Sequence, residues 1–427
     1  MIRVERIAWE GGDTAATVAR VRGLVPPTES VTAEVRPIID RVRDGGDSAL
    51  RELAARFGEP GPDQLRVDPE AVEAAPGLLE PEVREALRTA ARNVEAVARA
   101  ELQIVARTAV AELPQGQTVE VRAEPVAAAG VYAPGGRAAY PSSALMCCIP
   151  ARVAGVGRVA VASPPGAGGR PNAAVLAACA IAGVDEVYAV GGAQAIAALA
   201  FGTESIKPVD VVAGPGNRYV TEAKRLLFGR VGIDGVAGPS EVVVVADGSA
   251  NPDWVALDVC AQGEHGDDTL LAVISPDGAL LDRVAELVGE LVPERPSVAD
   301  APLALVETTG LEAALDLADA IAPEHLELVF QGADATAARA RVAGAVFVRS
   351  GGATAFGDYA AGSNHVLPTG GAARFGGPLG PGAFLRRTSV VSVPAAAARE
   401  LAPHVTALAT AEGLPVHGES AEARANR

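Results

Sequence analysis

Arg158-Val-Ala-Val-Ala-Ser163, an Ala-rich run from Ala173 to Ala182, Glu186-Val-Tyr-Ala-Val190, a second Ala-rich run from Ala193 to Phe201, and Val209-Asp-Val-Val-Ala213 follow one another in a single stretch of the chain. The short β-branched runs read as strands and the Ala-rich runs as helices. Strand, helix, strand, helix, strand is the order of a parallel α/β sheet. A second alternation begins at Glu241-Val-Val-Val-Val-Ala246. It continues through a helical run from Pro252 to Glu264, Leu270-Leu-Ala-Val-Ile274, a helix near Leu280 to Leu291, and strands near His325 to Phe330 and Ala345 to Val348. Two α/β layers are expected.

Ahead of these layers, from about Val31 to Arg107, apolar residues recur at three- and four-residue spacing in Val35-Arg-Pro-Ile-Ile-Asp-Arg-Val42 and Val83-Arg-Glu-Ala-Leu-Arg-Thr-Ala90. That spacing predicts covering helices. Behind them, the Gly- and Pro-rich stretch from Gly351 to Pro381 reads as a loop that approaches a ligand. Ala395 to Arg427 reads as a helix followed by a polar tail. No repeat of about 20–50 residues is present.

With 427 residues, 49% hydrophobic and 21% charged, the chain has a globular composition and is expected to form two or more domains. A net charge of −17 argues against a phosphate-binding surface rich in Lys and Arg, so a small-molecule substrate fits better than a nucleic acid. The first ten residues mix charges into the apolar ones, unlike a secretory signal. No segment approaches the roughly 20 apolar residues that span a membrane. A cytoplasmic protein is expected. Cys147 and Cys148 are adjacent, and Cys179 and Cys260 sit among apolar residues, which reads as reduced core thiols and not as a disulfide framework.

The chain has five histidines, and four stand in short polar constellations, where a residue that titrates near neutrality and readily binds metals invites a chemical reading. Gln262 and His265, three apart at the end of a helical run, share a face that suits a two-ligand clamp or simply a polar helix end. Glu324 and His325 follow Pro323. An imidazole there is a natural acceptor for an alcohol proton, or else His325 covers a sheet edge beside a solvated Glu324. Asp358, Ser363, Asn364, His365 and Thr369 crowd one loop, which a turn alone does not require. Glu412 and His417 lie near the carboxyl end, where a histidine is ordinarily just exposed.

Two glycine-rich turns complete the inventory. Val131-Tyr-Ala-Pro-Gly-Gly136 and Val212-Ala-Gly-Pro-Gly-Asn217 let backbone approach a ligand, and the second follows a strand and opens a helix. Neither is the G-x-G-x-x-G dinucleotide fingerprint, because Tyr219 occupies the third glycine position of the second turn.

Taken together, the chain resembles the histidinol dehydrogenase family. The motifs that carry the resemblance run in order: Val131-Tyr-Ala-Pro-Gly-Gly136, Gly191-Gly-Ala-Gln-Ala-Ile196, Ala213-Gly-Pro-Gly-Asn217, Ala237-Gly-Pro-Ser-Glu241, Gln262-Gly-Glu-His265, Ala322-Pro-Glu-His-Leu326, Gly357-Asp-Tyr359, Asn364-His-Val-Leu-Pro-Thr369, and Glu412-Gly-Leu414 with His417. The resemblance implies an α/β fold of two Rossmann-like, aldehyde-dehydrogenase-like parallel-sheet domains with small N- and C-terminal helical or arm segments. The expected division is an arm over 1–22, a first domain from 23–125 with 241–375, a second, NAD-binding domain over 126–240, and a dimerisation arm over 376–427.

It further implies a zinc-dependent, NAD-linked oxidation of L-histidinol through the aldehyde to L-histidine, the last step of histidine biosynthesis. Gln262, His265, Asp358 and His417 carry over as zinc ligands that also face the substrate. Ser240, His325, His365 and Glu412 carry over as substrate contacts, and Tyr132, Gln194 and Asn217 as NAD contacts. His325 is expected to take the alcohol proton and Glu324 to activate water for the aldehyde step. The implied assembly is a homodimer in which Glu412 and His417 complete the neighbour's site. Three alternatives stay open: a related zinc and NAD dehydrogenase acting on another small alcohol, a thiol mechanism through Cys147 or Cys148, and a metal-binding or scaffolding protein that keeps the fold. The Arg170-Pro-Asn172 region and the tail after Glu419 match no assignable role.

Overall fold

The computed structural model describes residues 2–25, 30–61, 64–105, 108–135, 139–349 and 351–425. Gly136 of the first glycine-rich turn, Arg107, Ser350 and Arg427 lie outside the described residues. Two parallel sheets form the body. The larger has six strands in the order Arg3–Trp9, Pro302–Thr308, Leu270–Ser275, Glu241–Ala246, His325–Val329, Ala345–Val348. The smaller has five: Glu186–Ala189, Arg158–Ser163, Ala128–Tyr132, Val211–Ala213, Gly232–Ile233.

The central strands are buried along their whole length, as parallel strands covered on both faces must be. Val242, Val243, Val244 and Val245 have no exposed surface. Burying a valine side chain contributes about 1.5–3 kcal/mol, so this run anchors the larger sheet.

Each sheet reverses its winding direction once. In the smaller sheet the chain leaves Ala128–Tyr132 toward Arg158–Ser163 and Glu186–Ala189, then crosses back to Val211–Ala213 on the other side. In the larger sheet it leaves Glu241–Ala246 toward Leu270–Ser275 and Pro302–Thr308, then crosses back to His325–Val329. Such reversals open a crevice between the two strands concerned.

Residues 3–9, expected within an amino-terminal arm, form an edge strand paired in parallel with Pro302–Thr308, and the helix Thr14–Arg22 lies against Leu311–Ile321. Ile7 and Trp9 point into the core while most neighbouring positions stay exposed, a pattern suited to a sheet edge. The helices Thr32–Arg56 and Pro81–Val105, expected to join the larger sheet's domain, instead cover the smaller sheet. Val35, Ile38 and Val42 pack with Tyr132, Ile196 and Leu199, and Leu87, Ala90 and Val94 pack with Val131, Leu145 and Val161. Spacing shows that a helix has an apolar stripe, but it does not name the sheet that receives the stripe.

The carboxyl end also departs from expectation. Leu385–Ser392 pairs antiparallel with Thr118–Pro125, which pairs with Ala109–Glu112 in a small, largely exposed sheet. The helices Ala395–Ala411 and Pro415–Ala425 then form a hairpin that packs chiefly on itself, so the expected polar tail is mostly helical. Among the described residues no helix is long and apolar enough to cross a membrane.

Candidate functional site

Glu324 and His325 sit where the larger sheet reverses. The helix Leu311–Ile321 ends at Ala322, which adopts a left-handed conformation (φ 54°, ψ 61°). Such a cap turns the chain sharply, at a cost that falls on any residue carrying a Cβ. Pro323 then delivers Glu324 and His325 to the amino end of the strand His325–Val329, beside the amino end of Glu241–Ala246. Both side chains are buried.

His325 Nδ1 lies 2.9 Å from the Glu241 carbonyl oxygen, a partner that can only accept, so Nδ1 carries a proton. Nε2 is therefore the basic atom of the neutral ring, and among the described residues it is buried without a hydrogen-bond partner, 3.6 Å from Asp358 Oδ1. Burial opposes a charge on this ring, yet Glu324 at 3.5 Å from Nδ1 and the Asp358 carboxylate outweigh burial and raise its pKa to about 9. Burial pushes Glu324 up to about 7, against the opposing pull of His325.

Gln262 lies in the last turn of the helix Pro252–Gly263, and His265 lies two residues beyond its end. The Gln262 amide nitrogen donates to the Glu241 carbonyl at 3.4 Å, so its oxygen is the atom left to accept. Gln262 is buried, whereas His265 is exposed at the rim. Asp358 belongs to a short helix, Thr354–Tyr359, inside the stretch expected to be a loop. Gly357 lets this helix lie on Phe347, whose ring would stand 2.6 Å from any added Cβ. Burial alone would raise the Asp358 carboxyl, but the His325 contact, with His365 and His265 nearby, holds it below the ordinary range.

His365 is fixed in the same sense as His325. Its Nδ1 donates to the Asp358 carbonyl at 2.8 Å, and its Nε2 lies 3.0 Å from Ser143 Oγ. Asn364 ties this loop to the helix Pro141–Val153 by donating to the Met146 carbonyl at 2.6 Å. Ser240 stands next to Glu241, just before the amino end of its strand, half-buried.

His325, Asp358, Gln262, His265 and His365 are thus gathered by one chain. Glu412 and His417 are not, because both are exposed on the carboxyl-terminal hairpin and neither side chain bonds to the cluster among the described residues. Among the described residues no three His, Cys, Asp or Glu side chains form a metal-holding group alone. The His265 nitrogen, Asp358 carboxylate and Gln262 oxygen nevertheless suit, by their chemistry, a divalent cation that accepts nitrogen and oxygen donors.

Tyr132 ends a smaller-sheet strand, and Gln194 and Asn217 follow the carboxyl ends of two others, around the reversal point where open α/β sheets bind ligands. Tyr132 Oη accepts the Gly192 amide at 3.1 Å, and burial lifts its pKa to about 12. Gln194 is buried, and its Oε1 would stand 2.7 Å from a Cβ on Gly192. Asn217 is exposed and caps the helix Arg218–Leu227 by accepting the amides of Tyr219 and Val220. Gly214 (φ 121°) approaches Tyr132 so closely that a Cβ would meet the Tyr132 carbonyl oxygen at 2.2 Å. A buried ion pair clasps this turn. Lys224 Nζ donates to the Gly214 carbonyl at 3.0 Å, and Asp234 Oδ2 accepts the Gly214 amide at 2.8 Å.

Sequence reasoning missed Glu241, Arg22 and Ser143. Arg22 pairs with Glu241 at 2.8 Å across the foot of the site, and no local pattern relates residues so far apart in the chain. A serine in an apolar helix, such as Ser143, is a weak signal in itself.

A family model described as histidinol dehydrogenase matches residues 26–425. A histidinol dehydrogenase of Cereibacter sphaeroides is 46% identical over 405 residues, covering 93% of this chain and 92% of that protein. One from Thermobifida fusca is 45% identical over 428 residues, 97% of each. The crystal structure of histidinol dehydrogenase from Elizabethkingia anophelis matches with a TM-score of 0.90 at 30% identity, covering 99% of this chain and 98% of that one.

Proposed function

The chain belongs to the histidinol dehydrogenase family and is an oxidoreductase of histidine biosynthesis, and on that premise we propose that it takes L-histidinol through L-histidinal to L-histidine with zinc and two NAD, using His325 and Glu324 as successive bases. The observation that carries the assignment is His325 itself: Nδ1 is committed to the Glu241 carbonyl, and the bare Nε2 is turned to Asp358.

In the first oxidation, hydride leaves the carbinol carbon for NAD while His325 Nε2 takes the hydroxyl proton, giving the aldehyde. In the second, Glu324 takes a proton from the water that adds to the aldehyde; loss of the second hydride, which NAD would accept, leaves the carboxylic acid, which releases its remaining proton to solvent to become the carboxylate. A carboxyl lifted to about 7 by burial is suited to accept the proton from water near neutrality. Zinc held by Gln262, His265, Asp358 and His417 of the partner subunit would orient the substrate's amine and imidazole and offset the Asp358 charge, drawing His325 toward its neutral form.

His365, held by the Asp358 carbonyl and Ser143, faces the substrate together with Ser240 and Glu412. NAD would be held at the reversal point of the smaller sheet by Tyr132, Gln194 and Asn217. The exposed Leu408 and Val416 on the carboxyl-terminal hairpin support a homodimer in which each hairpin completes its neighbour's site.

The deciding experiment supplies L-histidinol and NAD to protein stripped by a chelator and then restored with zinc, and counts NADH formed per histidine. Two per histidine, lost on stripping and regained with zinc, is expected. One per product, or turnover indifferent to the chelator, overturns the assignment.

A further inference from the structure

Two acids beside the site have no part in the proton transfers. Glu327 lies two residues after His325, on the same face of the strand His325–Val329, and it is fully buried. Its Oε1 accepts both the amide of Thr354 at 2.7 Å and the Thr354 hydroxyl at 2.6 Å. Thr354 is the first residue of the short helix that carries Asp358. The Asp258 side chain interacts with the same carboxylate, whose Oε2 is buried and accepts no hydrogen bond among the described residues, leaving it open to a proton shared with Asp258. Asp258 belongs to the helix Pro252–Gly263, one turn before Gln262.

Two neighbouring carboxyls do not both ionise readily in a buried place. Burial raises both acids, and the Glu327 charge raises Asp258 further, so the pair shares a proton near neutral pH, with the two bonds from Thr354 favouring the charge on Glu327. The joint therefore connects three elements: the strand bearing His325, the helix that ends in Gln262 and leads to His265, and the helix bearing Asp358. An apolar side chain would fill the same volume without desolvating a charge. It would not hold Thr354 by two directional bonds.

We propose that Glu327 is a positioning residue that, through Thr354 and Asp258, fixes Asp358 relative to Gln262 and His265 and so sets the affinity of the site for its divalent cation. This rests on the ligand set proposed above. Outer groups that orient metal ligands commonly govern affinity by about 10–100-fold.

The test measures zinc affinity of the full-length protein by competition with a chromogenic chelator, and unfolding of the zinc-free protein by circular dichroism. Thr354→Val removes one bond at nearly constant volume and is expected to weaken zinc binding about tenfold. Thr354→Ser, which keeps the hydroxyl, should stay within about twofold of the parent, and Glu327→Met should lose about 10–100-fold. Zinc-free Thr354→Val should unfold close to the parent temperature. If Glu327→Met does not fold, the Val and Ser pair decides.

Parent-like zinc affinity in Thr354→Val, or equal weakening in Val and Ser, overturns the positioning role when Asp358→Ala has lost zinc. If Asp358→Ala binds zinc as the parent does, the ligand assignment itself fails and the positioning role falls with it.

Discussion

The Glu324 carboxylate accepts the backbone amide of Glu241 at 2.8 Å, and the Glu241 carboxylate accepts the backbone amide of Glu324 at 3.3 Å. Each acid is held by the other's main chain, so neither can reorient without giving up its bond to the other's amide. Gly370 also donates to Glu241 at 2.9 Å, and the Arg22 guanidinium pairs with it at 2.8 Å. The reciprocal bonds explain how a base can be rigid at the start of a strand, where neighbouring side chains would otherwise diverge.

Replacing Glu324 with Gln keeps the shape and removes the proton acceptor. Single-turnover kinetics should show oxidation of histidinal reduced about 100-fold or more, and oxidation of histidinol reduced less than about tenfold. In the parent, aldehyde oxidation should rise with pH through about 7, the value to which burial lifts Glu324, because only the ionised form is a base. Equal losses in both half-reactions would show that the labour is not divided this way.

Arg22→Met should leave Glu241 a buried charge without its cation. Breaking such a pair costs about 3 kcal/mol, since the remaining charge keeps its desolvation penalty. Thermal unfolding should show a clearly lower midpoint, and Arg22→Lys should recover part of the difference. An unchanged midpoint for the methionine variant would mean that the pair contributes nothing net.

Asp258 gives a stability slope with pH. Its pKa is about 8 in the folded chain against an ordinary carboxyl value of 3.8, so the native state holds a proton that the unfolded state has released. The stabilisation is therefore complete below about pH 4 and is lost as pH rises toward 8. Asp258→Asn, which cannot ionise, should gain on the parent in urea unfolding as pH goes from 5 to 8. A difference that stays constant across that range would contradict the shared proton.

Cys147 and Cys148 are fully buried, and burial raises both thiols far from reactivity. A Cys147→Ala, Cys148→Ala double variant should keep kcat for both oxidations within about threefold, since a nucleophilic thiol would have to be accessible and ionised. Loss of aldehyde oxidation alone would revive a covalent mechanism.

The hairpin assignment predicts complementation. Mixed His265→Ala and His417→Ala chains should yield heterodimers with one intact site, and so measurable NADH formation from two inactive parents. No recovery in verified heterodimers would place His417 outside the partner's site.

Much of the fold was legible because the parallel strands are continuous β-branched runs, Val242 to Val245 above all, separated by helices of ordinary length. The pairing of Arg3–Trp9 was not legible, since an edge strand carries charges and little alternation. Nor was the partner of the helix Thr32–Arg56, because the stripe of Val35, Ile38 and Val42 would suit either sheet. At the site, His325, His365, Gln262 and Asp358 could be named from their motifs. Their tautomers could not, because these depend on carbonyls of Glu241 and Asp358 that only the folded chain brings near. The location of the cluster was also hidden. It lies at the amino ends of the larger sheet's strands, whereas the expected cofactor contacts lie at the carboxyl ends of the smaller sheet's strands.

The helices from Ala395 to Ala425 pack chiefly on each other, so the chain divides its tasks by thermodynamic unit. Cutting the polypeptide after Pro394 should spare both parallel cores and leave a body that melts cooperatively yet turns over nothing. On the proposed assembly, folding and competence would separate along this chain, and the last thirty or so residues would serve the encounter between two molecules more than the integrity of either one.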